Sequence, residues 1–518
     1  MKKKIKEWCP FVVTLVILLV VGFLFRINKL TYLPIFADEA IYIRWAQVMK
    51  AEPTLRFLPL SDGKQPLFMW GIIPFLKFIK DPLFAGRFLS VLAGIGTALG
   101  VFVASFTLFK SKRVALLATF FYILSPFTFF FDRMALVDSL LSFFGVWVFV
   151  FSTLAAKYKR LDLAMITGFL LGGALLTKSP ALFFSILIPT TWILSDWPKE
   201  FKQKLIQLVK ISGICISTYL IGYGMLNILR LGPNFNTIGS RNMDYVFPLS
   251  HLWINPKDPF VFLIDRSFEW IRIMGTWPLL ALALVGLIVS IKKFKKEYLV
   301  TFIWFFFPIL VQSEFAKVFT ARYILFSIPF LIILASSALL SKKKFFEGLS
   351  MILILVFSLL SIKFDHLLLT NLEEASLPRS ERSGYLEEWT SGTGIKEVSE
   401  IIREDQLNNP QESIVVGTEG YFGTLPDGLQ IYLQDMSQIT VIGVGLNLNE
   451  VPQELKNAKK TNDKVYLVIN SSRINIKDYE KEGLTLLAAY PKAFRPEGLK
   501  EYNQFGPRDS LYLFEITK

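Results

Sequence analysis

The side chains that could do chemistry in this chain are unevenly placed. Asp38 and Glu39, with Tyr42 four residues after Asp38, follow the first long apolar run, Lys64 lies between the first and second runs, and Arg87 opens the second. Asp132, Arg133 and Asp138 separate two later runs, Lys178 ends another, and Arg322-Tyr323 opens a further one. Carboxylates can take a proton from a hydroxyl. Lysines and arginines can hold developing negative charge. Ionisable groups at membrane depth are costly and usually have a task. Each also has a plainer reading. Acids favour a helix N-terminus, which suits Asp38 and Glu39. Asp138 could cap a span and pair with Arg133, and Arg87 could pack or meet headgroups. Lys64, Lys178 and Arg322 could reach out to headgroups.

Other chemistries have little material. The two histidines, His251 and His366, and the two cysteines, Cys9 and Cys215, supply neither a zinc site nor a Ser-His-Asp triad. No disulfide framework is expected.

The elements that must position these residues are membrane helices. Of 518 residues, 53% are hydrophobic, 15% aromatic and only 19% charged, with 49 Phe. Soluble domains carry about 25% charged residues, so a purely soluble enzyme and a disordered chain are both excluded. Apolar stretches near 10–27, 84–109, 114–131, 138–156, 163–177, 180–195, 211–229, 276–291, 298–313, 323–340 and 347–362 read as about eleven spans. One set of alternate ends carries Lys2, Lys3, Lys4 and Lys6, then Lys110, Lys112 and Arg113, then Lys157, Lys159 and Arg160. It continues with Lys199, Lys202, Lys204 and Lys210, then Lys292, Lys293, Lys295 and Lys296, then Lys342, Lys343 and Lys344. The positive-inside rule puts this set in the cytoplasm, and an odd number of spans puts 363–518 outside. The expected location is the plasma membrane, as a multi-pass protein. The N-terminal run lacks an A-x-A-like site and reads as a retained span. The candidate side chains from Asp38 to Tyr323 all fall on the other, outer side.

The net charge of +14 is likewise uneven, since 363–518 holds 17 basic and 24 acidic residues. The basic excess is therefore topological, and nucleic acid is not expected as a partner. Two long outer loops stand out, near 27–83 and 231–276. The first should contain an amphipathic helix from Asp38, with Ile41, Trp45 and Val48 on one face, lying along the membrane surface. Residues 1–362 form the expected membrane domain, with that loop, and 363–518 a soluble α/β domain. Its expected strands are 413–417, 439–444, 465–470, 484–490 and 511–516, with helices near 395–403, 429–433 and 451–459. The stretch 376–394 reads as a linker, and no repeat of fixed period is visible.

The order of short motifs is informative. Asp38-Glu39-Ala40-x-Tyr42 is followed by Lys64-x-Pro66-Leu67-x-x-Trp70 and Arg87-x-x-Ser90. Then come Ser125-Pro126, Arg133-x-Ala135-x-x-Asp138, Leu176-Thr177-Lys178-x-Pro180, and Arg322-Tyr323 with Pro329. Over roughly 1–340 this resembles the GT-C membrane glycosyltransferases related to the protein O-mannosyltransferases and the lipid A aminoarabinose transferase. The resemblance implies a polyprenyl-phosphate-linked sugar as donor and inverting transfer to a protein, glycan or lipid hydroxyl at the outer face. It places Asp38 at the reaction centre as base, and makes Glu39 beside it the second catalytic candidate. Lys64, Lys178, Arg322 and Arg133 become candidates for the donor phosphate, and Asp138, Tyr42, Arg87 and Tyr323 for further substrate contacts. No cofactor is implied, although carboxylates such as Asp38 and Asp138 suit Mg²⁺ or Mn²⁺. The chain departs from the lipid-A-modifying relatives at Gly63, where they have Glu, and at Gln65, where they have Pro. It has Tyr42 near where the mannosyltransferases carry His.

Two alternatives remain open at this point. A metal-dependent oligosaccharyltransferase would need a chelatable metal, and the tail shows no clear Trp-Trp-Asp motif. A secondary transporter or lipid-linked sugar flippase would expect repeated halves and polar groups near the midplane.

Overall fold

The structure is a computed structural model, and it describes residues 2–291, 295–462 and 464–517. Lys292 and Lys293 of the basic loops lie outside the described residues. Packing divides the chain into two units. The first comprises Met1–Asn28, Thr54–Gly71 and Arg87–Leu369, and the second Lys29–Pro53, Ile72–Gly86 and Thr370–Lys518.

The first unit is helical. Among the described residues seven helices are long and apolar enough to cross a membrane: Glu7–Ile27, Pro82–Phe109, Val137–Tyr158, Phe201–Leu231, Lys296–Phe315, Ala321–Leu340 and Lys344–Thr370. The pair Phe260–Met274 and Trp277–Val289, bent by 107°, would make an eighth as a single span. The remaining expected stretches are also helical but shorter, as Leu161–Leu175 and Ser179–Leu194. The stretch 114–131 is broken into Lys112–Leu124 and Pro126–Phe131. The break falls at Ser125-Pro126 because proline supplies no N–H to continue the ladder. The chain is therefore a polytopic α-helical membrane protein.

Its interior is aromatic. The Trp304 ring sits 5.0 Å from that of Phe149 and 5.2 Å from that of Phe330. Phe129, Phe130 and Phe131 are buried. Helices without water between them pack best through small residues. A Cβ on Gly172 would lie 2.4 Å from the Met225 sulfur, so the approach of Leu161–Leu175 to Phe201–Leu226 requires hydrogen there.

The second unit is built on a five-stranded sheet of β1 (Ile414–Glu419), β2 (Ile439–Gly445), β3 (Lys464–Asn470), β4 (Leu484–Pro491) and β5 (Ser510–Ile516). Their order is β2-β1-β3-β5-β4. β1 is parallel to β2 and β3, while β5 is antiparallel to β3 and β4. Alternate residues Val465, Leu467 and Ile469 join Leu455 and Phe514 in one core, as period-two patterning requires.

Two features differ from the sequence reading. The helix that begins at Asp38, Ala37–Ala51, packs within the second unit against the helix Asp427–Leu433, and Ile41, Tyr42, Ile43, Trp45 and Ala46 are all buried. Parts of loop 27–83 thus group with the C-terminal unit, where a boundary at 362 would assign them to the membrane part. The stretch 376–394 is packed, with Tyr385 and Leu386 buried. Its Glu387 is held by Arg379 at 2.6 Å and Arg382 at 2.8 Å. Phe36 forms an isolated antiparallel bridge with Ser391, and the Gly392 N–H donates to the Ile35 carbonyl at 2.7 Å.

Candidate active site

In the first unit, four of the expected residues come together. Val137–Tyr158 begins with Asp138 in its first turn, and Lys178 follows the end of Leu161–Leu175. Arg322 and Tyr323 lie in a 3₁₀ turn, Ala321–Ser327. Lys178 Nζ donates to Asp138 Oδ1 at 2.6 Å. The same ammonium stands 4.0 Å from the centre of the Tyr323 ring, and Arg322 Cζ stands 5.5 Å from it. Asp138 is buried, while the Lys178 side chain keeps 20% of its surface. A carboxylate, an aromatic face and two cations therefore form one cluster. A cation fixed by a short ion pair and still reachable can bind an anion at low reorganisation cost.

Lys64 belongs to a neighbouring group. Its Nζ lies 3.4 Å from Asp62, which also meets Arg241 at 3.5 Å. Gly63 between them has φ +66°, and a Cβ there would sit 2.6 Å from the Arg241 Cβ. This explains the departure from Glu at that position. Gln65, the other departure, donates from Nε2 to Ser179 Oγ at 2.9 Å, and the Leu67 N–H donates to the Leu176 carbonyl at 3.1 Å. The Lys-x-Pro and Thr-Lys-x-Pro motifs are thereby tied together.

Arg133 lies 4.8 Å from the Phe129 ring and donates to the Phe25 carbonyl at 3.4 Å. Arg87, Arg26 and Asp365 act on it electrostatically. Arg87 is fully buried.

The sequence reading had not singled out Arg26 or Asp365. Arg26 is fully buried in the last turn of α1 (Lys2–Ile27) and pairs with Asp132 at 3.1 Å. It also donates to the carbonyls of Ile123 and Tyr122, at 3.1 and 3.3 Å. The Tyr122 hydroxyl donates to Asp132 Oδ2 at 3.2 Å. Gly94 makes room, since a Cβ there would fall 2.3 Å from that oxygen. The available signal was an arginine and an aspartate inside the apolar ends of the first and last spans. Removing one member of a buried pair typically costs about 3–5 kcal/mol. Arg26→Met should therefore lower the thermal unfolding midpoint in detergent markedly, and Arg26→Met/Asp132→Leu should recover much of the loss.

The second unit holds Asp38, Glu39 and Tyr42, all on α2 (Ala37–Ala51). Asp38 is half-buried in the first turn. Glu39 is fully buried, and its Oε2 accepts the Phe36 N–H at 2.9 Å, which is a helix-capping contact. Tyr42 is buried, with its ring 6.1 Å from that of Trp45. Gln47 Nε2 donates to the Ile431 carbonyl at 2.9 Å. Burial raises the Asp427 carboxyl above its usual range, against the Gly423 N–H and the charge of Arg44. These contacts anchor α2 to the unit. Among the described residues no group of three or more His, Cys, Asp or Glu side chains is placed to hold a metal ion.

The architecture matches known structures along its whole length. ArnT from Cupriavidus metallidurans bound to undecaprenyl phosphate superposes with a TM-score of 0.59 at 14% identity, covering 99% of this chain and 98% of that one. The apo state of the same protein gives 0.58 at 13% identity, with 99% and 98% covered. At this identity the likeness establishes the fold alone, a polytopic helical membrane part followed by a C-terminal α/β domain as in ArnT. Residues 58–230 match the family model for dolichyl-phosphate-mannose-protein mannosyltransferase. The chain is thus similar to that mannosyltransferase family over residues 58–230 and to ArnT in fold over nearly its full length. A comparison with curated proteins finds no significant match.

Proposed function

We propose that the protein transfers a sugar from a polyprenyl-phosphate donor to an acceptor hydroxyl at the outer face of the membrane, by single displacement with inversion. The observation that carries this reading is the Asp138–Lys178–Tyr323–Arg322 cluster, two members of which lie inside the matched segment 58–230. The bound undecaprenyl phosphate of ArnT supports the donor class.

In this reading Asp38 accepts the proton of the attacking hydroxyl. The donor phosphate gains negative charge as the glycosidic bond breaks, and Lys178 and Arg322 stabilise it. Lys64 and Arg133 contribute further positive charge, while Asp138 orients Lys178. Tyr323 backs both cations, and Tyr42 and Arg87 shape the substrate sites. Glu39, engaged with the Phe36 N–H, holds the turn that presents Asp38. The reaction proceeds without a resident metal.

The test is transfer from a panel of polyprenyl-phosphate sugars by purified protein, with and without chelator. Donor turnover that survives chelation is the expected result. Activity abolished by chelator and restored by Mn²⁺ would favour the oligosaccharyltransferase alternative. No turnover of any donor would overturn the proposal.

The reading also fixes an orientation, with the N-terminus cytoplasmic and the C-terminal unit outside. In a Cys9→Ser background, Lys477→Cys should react with a membrane-impermeant thiol reagent in intact cells and Lys199→Cys should not. The reverse pattern would invert the topology.

A further inference from the structure

The C-terminal sheet has a place where its connections part. From β1 the chain passes through Asp427–Leu433 to β2 on one side, and from β2 it returns through Gln453–Thr461 to β3 on the other. In open α/β sheets, ligands bind outside the carboxyl ends of strands at such a switch point. Here those ends are Glu419 of β1 and Asn470 of β3. The Glu419 carboxylate accepts from the Asn470 backbone N–H and from its Nδ2, both at 2.7 Å.

Glu419 also fixes an arginine at the mouth. Arg473 Nη1 lies 3.5 Å from Glu419 Oε1, and the guanidinium stands 4.3 Å from the centre of the Trp389 ring. Among the described residues no hydrogen bond is made by this guanidinium. It is held by charge and stacking, with donors to spare. Beside it the turn from Gly420 to Gly423, with φ +72° and +121° at its glycines, displays two aromatic side chains. Tyr421 is 72% exposed and Phe422 46%, and a Cβ on Gly423 would meet Trp389 at 3.7 Å. The Phe422 ring lies 5.8 Å from that of buried Trp45, so this exposed ring is anchored on the helix that carries Asp38.

Tyr421 lies against Gly443 of β2, where a Cβ would fall 2.9 Å from the Tyr421 Cδ1, and still presents most of its ring to water. Exposed rings beside an oriented arginine suit a ligand with one apolar face and one polar edge. A sugar ring is such a ligand: its C–H face lies on aromatic faces and its hydroxyls take charged donors and acceptors. An anionic membrane surface fits poorly, because 363–518 carries 17 basic and 24 acidic residues.

We propose that the surface formed by Trp389, Tyr421, Phe422 and Arg473 binds a saccharide chain, and that this saccharide is the acceptor of the transfer reaction. Its role as acceptor rests on the proposed function, whereas its binding does not.

The experiment uses the purified full chain without donor. Saturation-transfer NMR is recorded with hexasaccharides of mannose, glucose and N-acetylglucosamine, with an acidic uronate hexasaccharide, and with a Ser/Thr-rich peptide. At least one saccharide should bind, with affinity at least tenfold weaker in Tyr421→Ala and in Arg473→Gln. Leu407→Ala, exposed on the helix Ile395–Asn408, should bind as the wild type does. With donor added, the same saccharide should be glycosylated, with KM raised tenfold in Tyr421→Ala and kcat retained. Binding of no saccharide, binding indifferent to both variants, or a preference for the peptide that both variants abolish would each overturn the inference. If wild type turns over donor but binds no saccharide, the inference fails and the proposed function stands. If saccharide binds and no donor is turned over, the proposed function fails and the binding surface stands.

Discussion

Asp38→Ala is expected to reduce sugar transfer by about 10²- to 10⁴-fold, the range typical of a positioned general base, while leaving the protein folded. The neighbouring residue supplies the contrast. Glu39 is fully buried and accepts the Phe36 N–H, so Glu39→Ala removes a cap. Such a loss costs roughly 1 kcal/mol of helix stability. Glu39→Ala should therefore lower the unfolding midpoint of the second unit and reduce transfer only in proportion to the unfolded fraction. Asp38→Ala should do the opposite, with near-normal melting and transfer lost at every donor concentration. Two adjacent acids in one turn are thus separated by which measurement moves. Full activity in Asp38→Ala would remove that residue from the reaction.

For Lys178→Ala the expected loss in kcat/KM is about 10²–10³-fold, comparable to removal of one preorganised donor from a developing anion. This variant should also be less stable. Asp138 is buried and would lose the partner that stands 2.6 Å away. An uncompensated buried charge costs about 3–5 kcal/mol. The double variant Lys178→Met/Asp138→Asn removes both charges. It should regain most of the melting temperature and none of the transfer. Recovery of transfer in the double variant would show that Lys178 acts only by neutralising Asp138. Donor binding, followed with a fluorescent polyprenyl phosphate, should weaken in both variants.

The membrane helices were legible because apolar runs are a strong local signal. What hydropathy does not encode is where a run breaks, as at Ser125-Pro126, or bends, as between Phe260–Met274 and Trp277–Val289. The strands of the second unit were legible from period-two patterning, and each lies within a residue or two of its expected bounds. The packing of 376–394 was hidden, because Glu387 meets Arg379 and Arg382 through turns that follow no periodicity. Among the candidate site residues, the cluster of Asp138, Lys178, Arg322 and Tyr323 joins positions whose common feature in the sequence was only an outer helix end. The pairing of Arg26 with Asp132 was harder still, since each sits among apolar neighbours and their meeting depends on long-range packing. The role of Glu39 as a cap could be read from its place in the first helical turn, but its burial could not.

The second unit is assembled from three separate stretches of chain, and this sets an order of events during synthesis. α2 leaves the ribosome early, between the first and second spans, yet the helix it packs on and the Ser391 strand bridge that steadies its entry are made near the end. Domains generally mature as units as the chain emerges, and this one cannot close until the stretch after Thr370 is out. The helix bearing Asp38 therefore waits in an unfinished state while the other spans are inserted. A truncated chain ending near 362 would keep the Lys178 cluster and lack the partners on which the Asp38 helix packs.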